Sequence, residues 1–198
     1  LSLENPKTVS YASWSNDDNI RQQASSGGVG FEIGRCLIDK GYKACGVRYN
    51  VEKRQAEHYI ADNIEDYKAS IGSKYIQSYT FEAFKAINLK EKYLVTGTPC
   101  QIDSFRRYVR KFRKEDNFVL VDFFCHGVPS MWMWYNYLHI NQPKVDGLRS
   151  VTWRNKRTGW HDSWAMNLQG KTQEVYSLMS KGDLFYRLFL GDWCMNPA

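Results

Sequence analysis

The sequence of 198 residues lacks long hydrophobic runs, and no stretch approaches the roughly 18 to 20 apolar residues of a membrane-spanning helix. Its start, LSLENPKTVSYASW, has neither the basic segment nor the apolar segment of a secretory signal peptide. The net charge is +6, but no Lys/Arg tract is long enough to indicate a nucleic-acid partner. These absences predict a cytoplasmic protein with no membrane span and no nucleic-acid ligand. The first residue is not Met, which suggests a fragment or a chain that begins elsewhere.

Cysteine is scarce and irregularly spaced, which is a poor basis for a disulfide framework. The five cysteines are Cys36, Cys45, Cys100, Cys125 and Cys194. In a reducing cytoplasm each is a small buried residue, a ligand or a nucleophile. Cys36 lies at helical spacing from Ile33 and Leu37, and Cys45 lies in a predicted strand. We therefore predict that Cys36 and Cys45 are packing residues.

The composition is that of a globular domain, with 43% hydrophobic and 24% charged residues, so a buried core is expected. Aromatic residues reach 15%, which suits a flat ring ligand or a protein interface, although most aromatic residues are core. We predict one domain over residues 1–198, with a core at about 11–141 and an antiparallel extension with a closing helix at 142–198.

Helical and strand patterns alternate through the first two-thirds of the chain. Helices are predicted at 28–40, 64–70, 80–90, 100–112 and 129–140. Strands are predicted at 43–50, 56–62, 92–97 and 118–124, the first two as an antiparallel pair. The last third, with 150–156, 164–169 and 174–178, alternates like antiparallel strands and ends in an amphipathic helix. The predicted fold is α/β: a mixed sheet with a parallel core flanked by helices, and antiparallel strands in the last third.

The predicted helix 100–112 has two contrasting faces. Its apolar face is formed by Ile102, Phe105, Val109 and Phe112. Its other face carries Arg106, Arg107, Arg110 and Lys111. We favour a solvated surface for the basic face over a docking site for an acidic protein, because charge runs on helices are usually solvated.

Two cysteine turns follow apolar strands. TGTPCQ places Cys100 after the strand 92–97, and CHGVPS places Cys125 after 118–124, which is predicted to be the most buried strand. In α/β folds, ligands bind outside the carboxyl ends of parallel strands. The two cysteines are therefore predicted to face one crevice.

Three features at this crevice leave alternatives open. The ASSGG segment fits a phosphate at a helix start, but a simple serine cap is the commoner reason for such a segment. A helix start favours the thiolate form, so Cys100 is a nucleophile or ligand, or else a structural turn residue. Cys125 and His126 are adjacent on an extended chain and point apart, so a metal or cluster ligand suits Cys125 better than a thiol–imidazole pair. His126 faces another group or is a turn residue.

The segments ASSGG, GSKYIQS, GTPCQI, DFFCHGVPS and WRNKRTGW occur in an order and spacing that resembles the coenzyme F-420 hydrogenase and dehydrogenase beta-subunit family. The resemblance runs from about Tyr11 to Pro197, and its most specific part is the pair of cysteine turns, 25 residues apart. That family is also similar to reductases that act on chlorophyll intermediates in plants and cyanobacteria. The resemblance implies a flavin oxidoreductase with FAD and at least one [4Fe–4S] cluster. Such an enzyme would move electrons between a ferredoxin-type donor or acceptor and a two-electron carrier such as a deazaflavin coenzyme.

The resemblance also implies roles for individual residues. The implied FAD contacts are Ser25, Ser26, Gly27, Gly28, Ser73, Lys74, Tyr75, Gln77, Thr98, Pro99, Cys100 and Gln101. Cys100, His126 and Lys74 are implied catalytic residues, Lys74 by stabilising a reduced, anionic ring. Cys125 and Cys194 are the implied cluster ligands. The ferredoxin-like domain and the further C-terminal cysteines of relatives do not occur in this sequence, so we expect an incomplete cluster site.

Two other functions compete with the flavin enzyme. One is a cofactor-free binding or scaffolding module of the same ancestry. The other is a thiol-dependent hydrolase that uses Cys100, which requires a histidine close to that thiol. The expected partners of the flavin enzyme are a ferredoxin-type electron-transfer protein or hydrogenase or dehydrogenase subunits, with a homo-oligomer as a further possibility. Oxygen-sensitive clusters would suit an anaerobic host.

Overall fold

Residues 8–191 are described by a computed structural model, and in this range two β-sheets are flanked by seven α-helices. The helices are α1 (Asp18–Gln23), α2 (Val29–Asp39), α3 (Ile64–Tyr67), α4 (Phe81–Ala86), α5 (Pro99–Lys111), α6 (Met131–Asn141) and α7 (Leu184–Phe189). The strands are β1 (Lys43–Asn50), β2 (Gln55–Ala61), β3 (Ser78–Tyr79), β4 (Tyr93–Thr96), β5 (Phe118–Val121), β6 (Ser150–Thr152), β7 (Ala165–Gln169) and β8 (Glu174–Leu178). None of the helices in this range is long and apolar enough to cross a lipid bilayer.

The larger sheet has the strand order β3-β2-β1-β4-β5. β1, β4 and β5 are mutually parallel, β1 and β2 form an antiparallel hairpin, and β3 runs parallel to β2. The smaller sheet, β6-β7-β8, is antiparallel. The predicted α/β class, with a parallel core and antiparallel strands in the last third, is confirmed.

Two aromatic-rich clusters form much of the core. Ile102, Phe105 and Val109 of α5 pack on the strand residues Tyr93 and Phe118, so the apolar side of α5 covers one face of the larger sheet. A second cluster, around Trp134, Trp153 and Phe185, joins α6 and α7 to the smaller sheet. Burying one such large side chain contributes about 2–3 kcal/mol, so these contacts fix the position of the smaller sheet against the helices.

The prediction that 118–124 is the most buried strand is wrong. β5 ends at Val121 and lies at the edge of the larger sheet, with β4 as its only strand neighbour among residues 8–191. Phe118 is buried, whereas Phe123 is 57% exposed and Phe124 is fully exposed. A continuous apolar run resembles a central strand in sequence, but here only its first half contacts the core.

Two predicted packing positions are also corrected. Cys36 is exposed, because α2 packs through Phe31 and Gly34 and turns Cys36 to solvent. Phe112 is 50% exposed, because α5 ends at Lys111, before the face that carries Phe112 could pack. The prediction for Cys45 is confirmed: it is fully buried in β1, and burial raises the pKa of its thiol to about 12.

The helix bounds agree with the sequence in part. The predicted helix 28–40 is found at Val29–Asp39, but the helix predicted at 80–90 ends at Ala86, where Ile87 becomes extended. Thr80 makes no side-chain cap to that helix. The sequence did not predict α1, although Asp17 is a recognisable N-cap that accepts the backbone N–H groups of Asn19 and Ile20.

Candidate functional site

Four loops meet at one edge of the larger sheet. β1, β4 and β5 run in the same direction, so the turns 97–101 and 122–130, which follow β4 and β5, lie at a common edge. β2 and β3 run the opposite way, so the loop 72–77, which precedes β3, reaches the same edge. α2 packs on β1 and leads into it through a short turn, which brings the segment 24–28 there as well. We call these four segments the carboxyl-edge loops.

The turn 97–101 is fixed by a single amide side chain. The backbone N–H of Thr98 donates to Oε1 of Gln101 at 3.0 Å, which satisfies an otherwise free N–H group at the start of α5. Nε2 of the same residue donates to Oγ of Ser78 at 3.1 Å, at the start of β3. Gln101, an implied FAD contact, therefore links two strands at the carboxyl edge.

Cys100 lies exposed in the first turn of α5. Its Sγ is 3.1 Å from Oγ1 of Thr98, and either atom can donate the hydrogen bond. Within residues 8–191, Thr98 is the side-chain partner found for this thiol, and no histidine is hydrogen-bonded to it. The arrangement required for a thiol hydrolase is therefore not formed by the described residues.

The turn 122–130 is exposed and has no regular secondary structure. Sγ of Cys125 accepts the backbone N–H of Gly127 at 3.3 Å. The ring of His126 packs edge-on against Phe189 of α7, with centroids 6.0 Å apart. Cys125 and His126 thus make separate contacts, as expected for neighbours on an extended chain.

The segment 24–28 contacts the loop 72–77 directly. Oγ of Ser25 accepts the backbone N–H of Ser73 at 2.7 Å. The two glycines of the ASSGG segment have a packing role: a Cβ at Gly27 would lie 3.1 Å from the backbone oxygen of Ser13, and Gly28 has φ +82°. Sequence analysis could not distinguish a ligand cradle from packing here, and these contacts show that packing alone requires both glycines.

Lys74 is held inside its own loop. Its Nζ donates to the carbonyl oxygens of Ala69, Ile71 and Gly72 at 3.0–3.1 Å. Burial lowers the pKa of Lys74 to about 7. The three N–H bonds of this ammonium are used within the protein, so it would act on a ligand through its charge and not by donating a hydrogen bond.

Lys156, in WRNKRTGW, connects the final third of the chain to the carboxyl edge. This side chain is 95% buried, and its Nζ donates to the carbonyl oxygens of Arg21 at 2.6 Å and Ser26 at 3.1 Å. Burial, together with the positive charges of Arg154 and Arg21, lowers its pKa. The role of this lysine was not predicted, because nothing in the local sequence distinguishes a buried lysine from a surface one.

An aromatic group lies beside the carboxyl-edge loops. Tyr75 stacks on Trp164 with ring centroids 5.5 Å apart and also contacts Phe189 at 5.4 Å. The guanidinium of Arg154 lies 4.1 Å from the centroid of Trp164. Phe189 thus contacts both Tyr75 and His126, which brings the loops 72–77 and 122–130 to the same helix end. Trp164 and Phe189 were not predicted as site residues, since both resemble ordinary core residues in the sequence.

His58 supports the turn after β4 from inside the sheet. Its Nε2 is 3.1 Å from the carbonyl oxygen of Thr96, and its ring packs edge-on against Phe84. Burial lowers the pKa of His58, and the bond to Thr96 opposes this shift. Sequence analysis also missed this residue; its position on the inward face of a strand was the available signal.

The described residues do not form an iron–sulfur site by themselves. A [4Fe–4S] cluster takes four thiolates, whereas the carboxyl-edge loops supply Cys100 and Cys125. No group of three or more His, Cys, Asp or Glu side chains in residues 8–191 could hold a metal ion. Cys194, the other predicted ligand, lies outside the described residues.

The same loops suit a flavin better. The starts of α2 and α5 both face the carboxyl edge, where free backbone N–H groups can bind anionic or carbonyl oxygens. A Cβ added at Gly30, in the first turn of α2, or at Gly127, in the turn 122–130, would meet no atom within 4 Å, so the backbone is open to approach at both positions. Two cavities of about 240 and 250 Å³ lie elsewhere, one between α6 and α7 and one beside α5 and β5.

The fold and these loops together define an α/β protein with two cysteine turns at the edge where such sheets bind ligands. Residues 90–186 match the family that comprises the C-terminal region of the coenzyme F420 hydrogenase/dehydrogenase beta subunit. The predicted resemblance to this family is thereby confirmed.

A solved structure has the same fold. It is a chain from "Xenon derivatization of the F420-reducing [NiFe] hydrogenase complex from Methanosarcina barkeri", with a TM-score of 0.61 and 15% sequence identity. The match covers 90% of this chain and 64% of the solved one, so the present chain spans less than two-thirds of that protein's length. No curated protein sequence matches this chain.

Proposed function

We propose that this chain is the flavin-binding part of an oxidoreductase that passes electrons between an iron–sulfur partner and a two-electron carrier such as a deazaflavin coenzyme. The observation that carries this proposal is the convergence of the four carboxyl-edge loops, which contain every proposed FAD contact. The family match supports a redox role. When bound, FAD supplies the exchange between two-electron and one-electron transfer, and the protein supplies binding, orientation and charge.

The proposed contacts divide between backbone and side chains. The starts of α2 and α5 offer backbone N–H groups at Ser25, Ser26, Gly27, Gly28 and Cys100. Thr98 and Pro99 shape the second turn, and the N–H of Thr98 is already bonded to Gln101. Ser73, Tyr75 and Gln77 come from the loop 72–77, whose position depends on the hydrogen bond between Ser73 and Ser25. Gln101 acts by positioning, because its amide holds the Thr98 turn against β3.

Three side chains are proposed to act at the reacting ring. Cys100 and Thr98, with Sγ and Oγ1 3.1 Å apart, form a pair that can hold a proton beside the flavin. Lys74, in its ammonium form, contributes a positive charge that favours an anionic ring without contacting it directly. His126 is exposed in the neighbouring turn, where its ring nitrogens are accessible to a carrier.

The remaining parts of the proposal concern the cluster and the partners. Cys125 and Cys194 are proposed cluster ligands, with the other donors supplied from outside the described residues. The proposed partners are a ferredoxin-type electron-transfer protein or hydrogenase or dehydrogenase subunits. A homo-oligomer, a cytoplasmic location and an anaerobic host are compatible with this function.

A second candidate is a cofactor-free binding module of the same ancestry. The observation that favours it is that Ser25, Lys74 and Gln101 already have partners inside the protein. These groups would keep a structural purpose after loss of the flavin.

One experiment separates the two candidates. The full-length protein is purified without oxygen, and its absorbance spectrum is recorded before and after heat release of bound cofactors. The proposed function predicts flavin bands that survive gel filtration and FAD in the released fraction. A folded, colourless protein that does not take up added FAD would contradict it and favour the binding module.

A further inference from the structure

β5 presents an open strand edge. It is the outermost strand of the larger sheet among residues 8–191. The carbonyl oxygen of Val121 accepts the backbone N–H of Gly97 at 3.2 Å, on the side that faces β4. The backbone groups of successive strand residues point to alternate sides, so Phe118 and Leu120 turn their N–H and C=O groups to the open edge. Such a row of groups can pair with another strand.

A cleft of about 250 Å³ lies along this edge. Its lining residues come from α5 and β5 and the turn between them: Arg106, Val109, Arg110, Glu115, Phe118 and Leu120. Val109 and Phe118 are buried and form an apolar floor. Phe118 and Leu120 therefore have two roles: their backbone groups point to the open edge, and their side chains line the cleft. A segment paired with β5 would place alternate side chains in the cleft.

The charge of the cleft selects the kind of segment. Arg106 and Arg110 form no salt bridge with any residue in 8–191, whereas Arg107, on the same helix, is paired with Asp103. Glu115 is the single acidic side chain of the lining. Unpaired guanidinium groups beside an apolar floor suit carboxylates, which they bind with charge-assisted hydrogen bonds.

We propose that an extended, acidic segment of a partner protein docks here as an additional strand of the larger sheet. Its backbone pairs with Phe118 and Leu120, and its carboxylates bind Arg106 and Arg110. Pairing with a sheet edge gives affinity through the main chain, and the side-chain pockets give specificity. The proposal does not depend on flavin binding, so it stands or falls separately from the proposed function.

Two other occupants fit less well. A second copy of this chain, paired through β5, would bring two sets of Arg106 and Arg110 together, and the chain already has a net charge of +6. A nucleic acid has the required negative charge but cannot pair with the outward N–H and C=O groups of β5. Sequence analysis favoured a solvated basic face, and Arg107 and Lys111 remain exposed. Arg106 and Arg110 differ from Arg107 and Lys111 because they line the cleft beside the open edge.

The test uses the full chain and a fluorescein-labelled, end-capped peptide of alternating valine and glutamate, followed by fluorescence anisotropy. The expected result is saturable binding that weakens about tenfold in R106A and in R110A, since each loses a charge-assisted hydrogen bond. The matched control R107A removes a charge from the same helix outside the cleft, and binding should stay within about twofold of the unsubstituted protein. Near-UV circular dichroism confirms that each variant is folded.

Two further peptides test the pairing mode with the unsubstituted protein. A version N-methylated at every backbone nitrogen keeps its charge but cannot donate the hydrogen bonds of strand pairing at either edge, and it should bind about tenfold more weakly. A valine–lysine peptide should not bind. Equal binding of the N-methylated peptide, or binding of the lysine peptide, would overturn the proposal. So would displacement of the peptide by an equally charged single-stranded oligonucleotide, or a dimer in sedimentation that R110A dissociates.

Discussion

The backbone N–H of Ser73 donates a 2.7 Å hydrogen bond to Oγ of Ser25, across 48 residues of sequence. This bond joins the segment before α2 to the loop before β3. It therefore sets the distance between two of the four carboxyl-edge loops, and whatever ligand binds there depends on it.

Replacing Ser25 by alanine should weaken both the fold and the site. S25A leaves the half-buried N–H of Ser73 without its acceptor, and the free energy of unfolding should fall by about 1 kcal/mol, as measured by urea denaturation. S26A is the matched control, because the Ser26 side chain is exposed and makes no hydrogen bond within residues 8–191. The idea fails if S26A destabilises the protein as much as S25A does.

Removing the charge of Lys156 should be costly. K156M leaves the carbonyl oxygens of Arg21 and Ser26 without this donor in a buried position, so the free energy of unfolding should fall by about 2–3 kcal/mol. K90M, at an exposed lysine, should change it by less than about 0.5 kcal/mol. Similar denaturation midpoints for both variants would show that the Lys156 bridge does not stabilise the fold.

The turn between β7 and β8 should make stability depend on pH. The carboxylate of Asp146 accepts the side-chain hydroxyl of Thr172 and the backbone N–H groups of Thr172 and Gln173, which holds its pKa well below the usual range. A carboxyl whose pKa is lower in the folded state stabilises the protein above its unfolded pKa of about 3.9 and loses that effect as the pH falls through the folded value.

The variant D146N should therefore be destabilised at pH 7, and its difference from the unsubstituted protein should shrink steadily below about pH 4. Urea denaturation at a series of pH values measures this difference. The control D39N, at an exposed position in the last turn of α2, should not lower the free energy of unfolding at any pH of the series. A D146N effect that stays constant from pH 7 to about pH 2 would contradict the assignment.

The two cysteine turns should have different chemistry. In the complete protein, purified without oxygen, C125S should lower the iron content and cluster absorbance and leave the flavin bands. C100A should retain iron and change flavin turnover or potential. C36S, which removes an exposed thiol elsewhere, should do neither. Unchanged iron in C125S would remove Cys125 from the ligand set, and loss of iron in C100A would place Cys100 in it.

Much of the fold could be predicted from local pattern. The strands of the hairpin β1–β2, the helix α5 and the antiparallel last third follow from periodicity, because burial on one face of an element leaves a regular spacing in sequence. The same reasoning failed for 118–124. An apolar run reports hydrophobicity and not the number of strand neighbours, so it could not show that β5 lies at an edge and that Phe124 is exposed.

The candidate site was predictable in its position and not in its contacts. Two strands followed by cysteine turns indicated a shared edge, because parallel strands align their carboxyl ends. The partners of Lys74 and Gln101 depend on loops whose backbone conformation has no periodic signal. The hydrogen bonds from Lys74 to carbonyl oxygens and from Gln101 to Ser78 are therefore visible only in the folded chain.

By itself the sequence determined the class of fold, the buried face of α5 and the two cysteine turns, because each is encoded by the spacing of residues close together in the chain. Only the tertiary structure decided which groups meet across long separations: Ser25 with Ser73, Lys156 with Ser26, and Phe189 with both Tyr75 and His126. It also decided that β5 has a free side. Such pairings arise from the packing of whole elements, and that packing depends on all of their side chains at once.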